Sequence, residues 1–134
     1  MEIREYKKED AKKLLNLFNK CFNYNYKVID MEPTGMIYVV VIDNKIVGMA
    51  TIDILNDIFK NIKYGYVNDV CIDPDYQGQG LSKKLMNKIL EYGISNNLEY
   101  IMLTSNKKRI AAHGLYKSMG YEIVDTCVFK KYMK

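Results

Sequence analysis

A glycine-bearing loop at residues 77–80 joins an apolar run that ends at Ile72 to a helical pattern that begins at Leu81. Glycine has no Cβ to cover the backbone, and the first amides of a helix have no partner within that helix. The helix dipole adds a preference for negative charge at the same end. The stretch Val67–Ser82 therefore predicts an anion site of the kind that holds a phosphate group.

Two common phosphate-binding loops are disfavoured by what this loop lacks. A nucleotide P-loop ends in Gly-Lys-Ser or Gly-Lys-Thr, whereas Gly80 is followed by Leu81 and Ser82. A dinucleotide-binding loop needs a third glycine after Gly78 and Gly80, and the sequence has none at the required spacing. The expected ligand is therefore a phosphate-bearing molecule of another kind.

The elements around this loop predict an α/β fold. Hydrophobic periodicity predicts helices at Glu9–Phe22, Gly80–Asn96 and Arg109–Met119, and strands at Ile3–Tyr6, Met36–Ile42, Ile46–Leu55, Tyr64–Ile72, Glu99–Thr104, Tyr121–Asp125 and Cys127–Tyr132. Asn23–Gly35 has no clean period and is open to a short helix or a loop. Because a strand–helix–strand crossover makes its two strands parallel, the expected fold is a mixed, mostly antiparallel twisted sheet with helices on both faces.

The composition is that of an ordinary globular domain, with 49% hydrophobic and 27% charged residues. A net charge of +4 is too small to indicate nucleic acid. No apolar run is long enough for a membrane helix, and charge stands near Met1 where a signal peptide would be apolar. Three scattered cysteines and a single histidine predict reduced thiols and no metal. We expect one cytoplasmic domain, residues 1–134, without a nucleic-acid or membrane partner.

Two blocks of sequence carry a family resemblance. Residues 77–82 read Gln-Gly-Gln-Gly-Leu-Ser, and residues 112–121 read Ala-His-Gly-Leu-Tyr-Lys-Ser-Met-Gly-Tyr. The first block is similar to the Arg/Gln-x-x-Gly-x-Gly/Ala loop of the GNAT superfamily of acyl-CoA-dependent N-acyltransferases, and the second to that family's Ala-x-x-x-Tyr-x-x-x-Gly-Phe/Tyr segment. The element order agrees over nearly the whole chain. The resemblance therefore implies the GNAT fold and an N-acetyltransferase with acetyl-CoA as co-substrate.

The resemblance also implies how the chain divides the acyl-CoA site. The pantetheine arm would pair with the backbone of Val70, Cys71 and Ile72, as an added strand would, so that the Cys71 thiol needs no special role. The pyrophosphate would bind backbone amides of the loop, formed by Gln77, Gly78, Gln79, Gly80, Leu81 and Ser82. Ala112 would leave room for the thioester arm on the helix face that it shares with Tyr116.

The sequence departs from the family pattern at two positions. Ser82 stands where the family has glycine or alanine, and its small hydroxyl can reach a phosphate oxygen. Arg109 stands seven residues before Tyr116, where the family often has asparagine. Asn106 can take that role, or Arg109 itself contacts the cofactor or an acidic acceptor. Some family members carry an arginine there together with a histidine after the alanine, as Arg109 and His113 do here.

The resemblance implies that Tyr116 protonates the departing thiolate of CoA. A phenol with a pKa of about 10 can hydrogen-bond to a thiolate whose acid has a pKa of about 8.5, and can pass on a proton that water replaces. The alternative for Tyr116 is a core tyrosine on an amphipathic helix.

The general base is less well determined by the sequence. An amine acceptor is mostly protonated at neutral pH and must lose a proton before it attacks a carbonyl carbon. Asp69 is the first candidate because an acidic residue is out of place in a strand-like run. Asp53, Glu32 and His113 are alternatives, whereas Asp73 is expected to be a turn residue.

The expected function is transfer of an acetyl or other short acyl group from acyl-CoA to the amine of a small molecule, by direct attack in a ternary complex. A protein or peptide amine is an alternative acceptor, and a non-catalytic acyl-CoA-binding regulatory module is an alternative function. The regions expected to shape the acceptor pocket, Asn23–Gly35, Asn56–Lys63 and Thr126–Lys131, carry no readable motif. The resemblance is also compatible with a homodimer.

Overall fold

The structure is a computed structural model that describes residues 1–134, and it divides into two compact units, residues 1–104 and 105–134. The first unit contains strands β1 (Glu2–Glu5), β2 (Met36–Ile42), β3 (Lys45–Asp57), β4 (Ile62–Ile72) and β5 (Ile101–Leu103), and helices α1 (Ala11–Phe22) and α2 (Leu81–Ser95). The second unit contains helix α3 (Ile110–Ser118). None of these helices is both long enough and apolar enough to cross a membrane. That the whole chain forms one domain stays a prediction.

The five strands form one sheet in the order β1-β2-β3-β4-β5. The first three pairings are antiparallel, and the pairing of β4 with β5 is parallel. The mixed, mostly antiparallel sheet is therefore confirmed, including the parallel step across α2.

Helix α1 covers one face of the sheet. Its Leu14 and Leu17 recur at helical spacing and pack with Val39, Met49 and Cys71 in one buried cluster. These three strand residues lie directly opposite one another on β2, β3 and β4. Since side chains alternate along a strand, the residues next to them point to the other face.

Helix α2 covers that other face, with Leu85 and Ile89 fully buried. Gly48 on β3 shows how closely the layers meet. A Cβ at Gly48 would lie 2.7 Å from Cδ1 of Ile72 and 3.3 Å from Cδ1 of Leu85. Close packing therefore leaves little room for a larger residue at this position of the strand, and the fold carries helices on both faces of the sheet.

A partly buried ion pair holds the start of α1 to β1. Arg4 donates two hydrogen bonds to the carboxylate of Asp10, at 2.7 and 3.0 Å, and the amide of Lys7 donates a third at 2.8 Å. Asp10 is only 5% exposed. The hydrogen bonds from Arg4, with that from Lys7, outweigh burial and lower the pKa of Asp10 below its ordinary value.

The connection between β3 and β4 is shorter than the predicted loop Asn56–Lys63. The strands run on to Asp57 and restart at Ile62, so the loop prediction is wrong at both ends. The carboxylate of Asp57 accepts hydrogen bonds from the amides of Phe59 and Lys60, at 3.2 and 3.1 Å, and closes the turn. By contrast, Asn23–Gly35 forms neither helix nor strand, so of the two alternatives, a short helix or a loop, the segment is a loop.

The two predicted C-terminal strands, Tyr121–Asp125 and Cys127–Tyr132, are wrong, because residues 121–134 form no helix or strand. Apolar side chains in this segment are exposed, for example Ile123 at 75% and Phe129 at 93%. Strand propensity describes a segment that suits a half-buried pleated surface, but a strand exists only where another strand pairs with its backbone. The sheet ends at β5.

Candidate active site

Strand β4 leaves its neighbour β5 part-way along its length. The parallel pairing joins Gly65–Val67 to Ile101–Leu103 and goes no further. Beyond Val67, β4 continues to Ile72 and remains paired with β3 alone. One backbone edge of residues 68–72, the edge that faces away from β3, is therefore without a partner strand, although β4 is not the outermost strand of the sheet.

The hydrogen-bond alternation of an antiparallel pair identifies which groups face this open edge. The amide of Asp73 donates to the carbonyl of Val47 at 2.8 Å, so the backbone of Asp73 faces β3. Two residues earlier, Cys71 faces β3 in the same way, and Val70 and Ile72 face away from it. The carbonyl of Ile72 accepts a 3.3 Å hydrogen bond from Nε2 of Gln77. The amide and carbonyl of Val70 and the amide of Ile72 thus face the open side.

A short 3-10 turn, Pro74–Tyr76, carries the chain from the end of β4 to the glycine loop. The carboxylate of Asp73 accepts from the amide of Asp75 at 2.9 Å, which confirms Asp73 as a turn residue. Lys20 of α1 lies 2.9 Å from carboxylate oxygens of both Asp73 and Asp75. These hydrogen bonds raise the pKa of Lys20 and tie the turn to α1.

The glycine loop places free amides at the start of α2. Gly78 and Gly80 have φ values of 83° and 73°, in the left-handed region that favours glycine. The first amide bonded within the helix is that of Lys84, which donates to the carbonyl of Gly80 at 3.2 Å. The amides of Leu81 and Ser82 precede it and have no acceptor in the helix. The Leu81 side chain is buried, so this residue anchors the helix and offers its amide alone.

A β-bulge brings Asp69 to the face of the sheet that α1 covers. Ala50 pairs with Val70 and Ile52 pairs with Val67, so Asn68 and Asp69 together oppose the single residue Thr51. The amide of Asp69 donates to Oγ1 of Thr51 at 3.1 Å. Because Val67 and Val70 share the α2 face, the two bulge residues between them lie on the other face. Burial raises the pKa of the half-buried Asp69 carboxyl.

Asp53 lies on the same face, two residues beyond Thr51 on β3. Its Oδ1 accepts a 2.6 Å hydrogen bond from Oγ1 of Thr34, and its Oδ2 accepts a 2.7 Å hydrogen bond from Nδ2 of Asn68. Gly35 makes this approach possible, since a Cβ there would collide with the carbonyl of Ile52 and with Asp53. Asp53 borders a surface pocket of about 390 Å³ that is lined by Thr34, Asp53, Ile54, Leu55, Tyr66 and Asn68.

In the second unit, Tyr116 is held by the end of α3. Gly120 has φ 93°, and its amide donates to the carbonyl of Lys117 at 3.1 Å. The amide of Tyr121 donates to the carbonyl of Tyr116 at 3.0 Å, and the two rings meet edge to face with centroids 5.9 Å apart. This is a Schellman cap with its apolar contact, and Gly120 supplies its left-handed residue. Burial raises the pKa of Tyr116, and the charge of Arg109 lowers it by a smaller amount.

The other predicted residues of this unit surround the start of α3. Arg109 is the exposed N-cap residue of the helix, one turn before the half-buried His113. Oδ1 of Asn106 accepts from the amide of Lys108 at 2.9 Å, so Asn106 shapes the turn that leads into the helix. Nε2 of His113 is buried and has no hydrogen-bond partner. Ala112 is half-buried, one turn before Tyr116.

A model of the acetyltransferase (GNAT) family matches residues 3–121. The chain belongs to this family. It is 25% identical over 134 residues to an uncharacterized N-acetyltransferase of Archaeoglobus fulgidus, with 88% of this chain and 90% of that protein covered. It is also 30% identical over 93 residues to the N-acetylaspartate synthetase of Xenopus tropicalis, with 69% of this chain and 33% of that protein covered.

The fold comparison agrees with the family. An aminoglycoside acetyltransferase, meta-AAC0020 from an uncultured soil metagenomic sample, superimposes with a TM-score of 0.84 at 22% identity, over 99% of this chain and 95% of that one. The chain spans about a third of the length of the N-acetylaspartate synthetases that it matches. The family is one of acetyltransferases, and its members generally use acetyl-CoA.

The structure brings some of the predicted site residues together and leaves others apart. Within the first unit, the open edge at Val70–Ile72 leads through the Pro74–Tyr76 turn into the glycine loop, and Asp69 precedes that edge. Glu32 lies on the exposed segment before β2 and is 3.7 Å from Lys8. The sequence does not point to Thr34 and Asn68 as the partners of Asp53, since they come from distant parts of the chain. The one available signal was Gly35, a glycine before a strand, where a close backbone approach is common.

Proposed function

We propose that this protein is an acetyltransferase that moves an acetyl group from acetyl-CoA to the amine of a small molecule, by direct attack in a ternary complex. The observation that carries the proposal is the open edge of β4 at residues 68–72, which runs into the unbonded amides at the start of α2. An extended chain with amide groups fits the edge, and a pyrophosphate fits the amides.

The residues present fit acetyl-CoA in two places. Val70 offers an amide and a carbonyl, and Ile72 an amide, to the amide groups of a pantetheine arm that lies along β4. The amides of the loop and of the first turn of α2, from Gly78 to Ser82, are the proposed donors to the pyrophosphate, and the helix dipole favours its charge. When bound, acetyl-CoA supplies an activated acyl group whose carbon–sulfur bond breaks as the new carbon–nitrogen bond forms.

Asp69 is the proposed base that takes the proton from the acceptor amine. A carboxylate in water is too weak a base to take a proton readily from an ammonium group. Burial raises the pKa of Asp69 and so brings it closer to the pKa of the amine. Its carboxylate forms no hydrogen bond within the protein, so its lone pairs are open to the acceptor or to a bridging water. Asp53, Glu32 and His113 stay the alternative candidates for the base.

Tyr116 is the proposed acid that protonates the departing thiolate. Burial raises the pKa of its phenol, so the group carries its proton throughout the neutral range. Its backbone is held by the Schellman cap, which fixes where the side chain leaves the helix. Arg109, Asn106 and Ala112 are proposed to contact the cofactor, as the family resemblance implies.

Release of the free thiol of CoA tests the proposal. Purified protein with acetyl-CoA should release thiol in the presence of at least one class of amine, from amino sugars, polyamines, aminophosphonates, amino acids and peptides with free N-termini. Thiol release that does not depend on any amine, or none at all, would contradict it. Calorimetric titration with acetyl-CoA distinguishes the alternatives, because binding without turnover across the panel would leave a non-catalytic acyl-CoA-binding module.

The relatives do not decide the acceptor. One is named for the product N-acetylaspartate, and a protein of the same fold is named for aminoglycosides, which are cationic where aspartate is anionic. If only the peptides of the panel are acetylated, the acceptor is a protein or peptide amine and not a small molecule.

A further inference from the structure

The carboxylate of Asp53 has hydrogen-bond partners but no cationic partner. Each of its oxygens accepts one hydrogen bond, and both donors, the Thr34 hydroxyl and the Asn68 amide, are neutral. No lysine or arginine forms an ion pair with Asp53, whereas Asp10, Asp73 and Asp75 all have one. Because an ionised carboxylate has about four lone-pair positions, Asp53 retains acceptor capacity for a further donor.

Asp53 is the only charged residue that lines the pocket in front of it. Its other lining residues are Thr34, Ile54, Leu55, Tyr66 and Asn68, and none of them is basic. The side chains of Leu55 and Ile54 offer apolar surface, and that of Tyr66 is positioned by a 3.3 Å hydrogen bond between its hydroxyl and Oγ1 of Thr104. A ligand for this volume of about 390 Å³ therefore carries a cation and a short apolar body.

The pocket adjoins the proposed catalytic base through the bulge. Asn68, which donates to Asp53, is the residue directly before Asp69. Thr51, which accepts from the amide of Asp69, is two residues from Asp53 on the same face of β3. Two residues along a strand span about 7 Å, so Asp53 and the residue that holds the Asp69 amide are about the length of a short diamine apart.

A second depression, of about 440 Å³, is less suitable for an acceptor. It is lined by Asp57, Asn61, Ile62 and neighbouring residues of the β3–β4 turn and by Asn97 and Glu99. That turn is at the opposite end of β4 from the open edge at residues 68–72.

We propose that the pocket at Asp53 is the acceptor site, and that Asp53 binds the non-reacting ammonium group of an acceptor with two or more amino groups. This inference rests on the proposed acetyl transfer and narrows its acceptor class. A charge-assisted hydrogen bond to the carboxylate selects such oligoamines over monoamines. The unneutralised charge of Asp53 repels amines that carry a carboxylate or phosphate.

The test compares three small amines of similar length at saturating acetyl-CoA: 1,4-diaminobutane, butylamine and 4-aminobutanoate. Wild type should show kcat/KM highest for the diamine, by about tenfold or more over butylamine, the weight of one charge-assisted hydrogen bond, and lowest for 4-aminobutanoate. Asp53→Asn, which keeps the shape and the two hydrogen-bond partners in reach, should bring the diamine and butylamine to similar values. The KM for acetyl-CoA should not change.

Two control variants separate charge from structure. Thr34→Val removes one neutral donor but keeps the carboxylate, so it should keep the preference for the diamine. Asp57→Asn makes the same charge change on the same strand, outside the pocket, and should also keep it. Equal kcat/KM for the three amines in wild type would overturn the acceptor site while leaving the acetyl transfer intact, and this comparison does not depend on how any variant folds.

Binding without turnover separates the two proposals. Addition of 1,4-diaminobutane alone should raise the melting temperature of wild type and not that of Asp53→Asn. If this shift is seen but no amine supports thiol release, the site is supported and the acetyl transfer is not. If the diamine gives neither a shift nor turnover, while another amine is acetylated, the site at Asp53 is wrong.

Discussion

Replacement of Gly80 by alanine is expected to destabilise the protein through backbone conformation alone. Gly80 has φ 73° and ψ 18°, and a Cβ built there meets no atom within 4 Å. Because no collision contributes, the expected loss is that of a non-glycine residue in the left-handed region, about 1–2 kcal/mol in the free energy of unfolding. For a domain of this length the melting temperature should fall by about 4–7 °C.

Gly114 offers a matched control. A Cβ there also meets no atom within 4 Å, but Gly114 lies inside α3 with an ordinary φ. Alanine is preferred to glycine in a helix interior by about 0.5–1 kcal/mol, so Gly114→Ala should stabilise the protein. Gly80→Asn should fall between Gly80→Ala and wild type, because asparagine tolerates positive φ. The chain already holds asparagine in this conformation at Asn23, Asn44, Asn61 and Asn97.

Urea unfolding followed by circular dichroism measures this series. The expected order of stability is Gly114→Ala, wild type, Gly80→Asn and Gly80→Ala. Acetyl-CoA affinity, measured by calorimetry on the folded variants, should weaken in the same order for the two Gly80 variants, since a relaxed φ re-aims the amides of Leu81 and Ser82. A Gly80→Ala protein as stable as wild type would refute the conformational argument. Full acetyl-CoA affinity despite the lost stability would show that the loop does not bind the pyrophosphate.

Three further substitutions test individual side chains. Asp69→Asn should lower kcat/KM by about 100-fold or more and abolish the acidic limb of its pH profile, and a retained limb would assign the base elsewhere. Since the folded pKa of Asp69 is raised, its ionisation opposes folding as pH rises through that pKa, and the variant should be at least as stable as wild type at pH 7 in urea. Tyr116→Phe should lower kcat by about 100-fold with acetyl-CoA affinity kept; unchanged turnover removes the acid role. Asp10→Asn should lower the free energy of unfolding by about 2–3 kcal/mol at pH 7. Because the pKa of Asp10 is lowered in the folded protein, its ion pair stabilises the fold fully above the ordinary pKa of 3.8. That stabilisation is lost as pH falls through the folded pKa. A urea series from pH 7 to acid, in which the loss does not shrink as pH falls, would contradict that account.

The parts of the fold that the sequence predicts well are those with local causes. The stripe that contains Leu14 and Leu17 has helical period, and burying it requires a sheet face within reach. Gly120 ends its helix through hydrogen bonds to the last turn alone, so its conformation depends only on residues next to it in the chain. The glycine loop likewise sits between an apolar run and a helical pattern, so its place at the end of β4 follows from neighbours in the chain.

The parts that the sequence does not predict depend on distant partners. Alternation in residues 121–132 indicates that a strand is sterically acceptable, but pairing requires a second backbone that the segment itself does not specify. Thr34 and Asn68 meet Asp53 from across 19 and 15 residues of sequence, respectively. No periodicity encodes such a contact, and Asp53 read alone is simply one acid in a strand.

The bulge at Asn68 and Asp69 explains why one short stretch can carry both proposed halves of the site. Without the extra residue, strict alternation from Val70 would place Val67 on the α1 face, and it would lose its buried position under α2. With it, Asn68 and Asp69 both lie on the face that holds Thr51 and Asp53, while the backbone beyond them keeps the register in which Val70 and Ile72 face the open edge. The proposed base and acceptor site thus stand on one face, and the proposed pantetheine groups stand at the strand edge beside them. Removing one bulge residue should therefore disturb acceptor and acetyl-CoA binding together, whereas Asp53→Asn should disturb the acceptor alone.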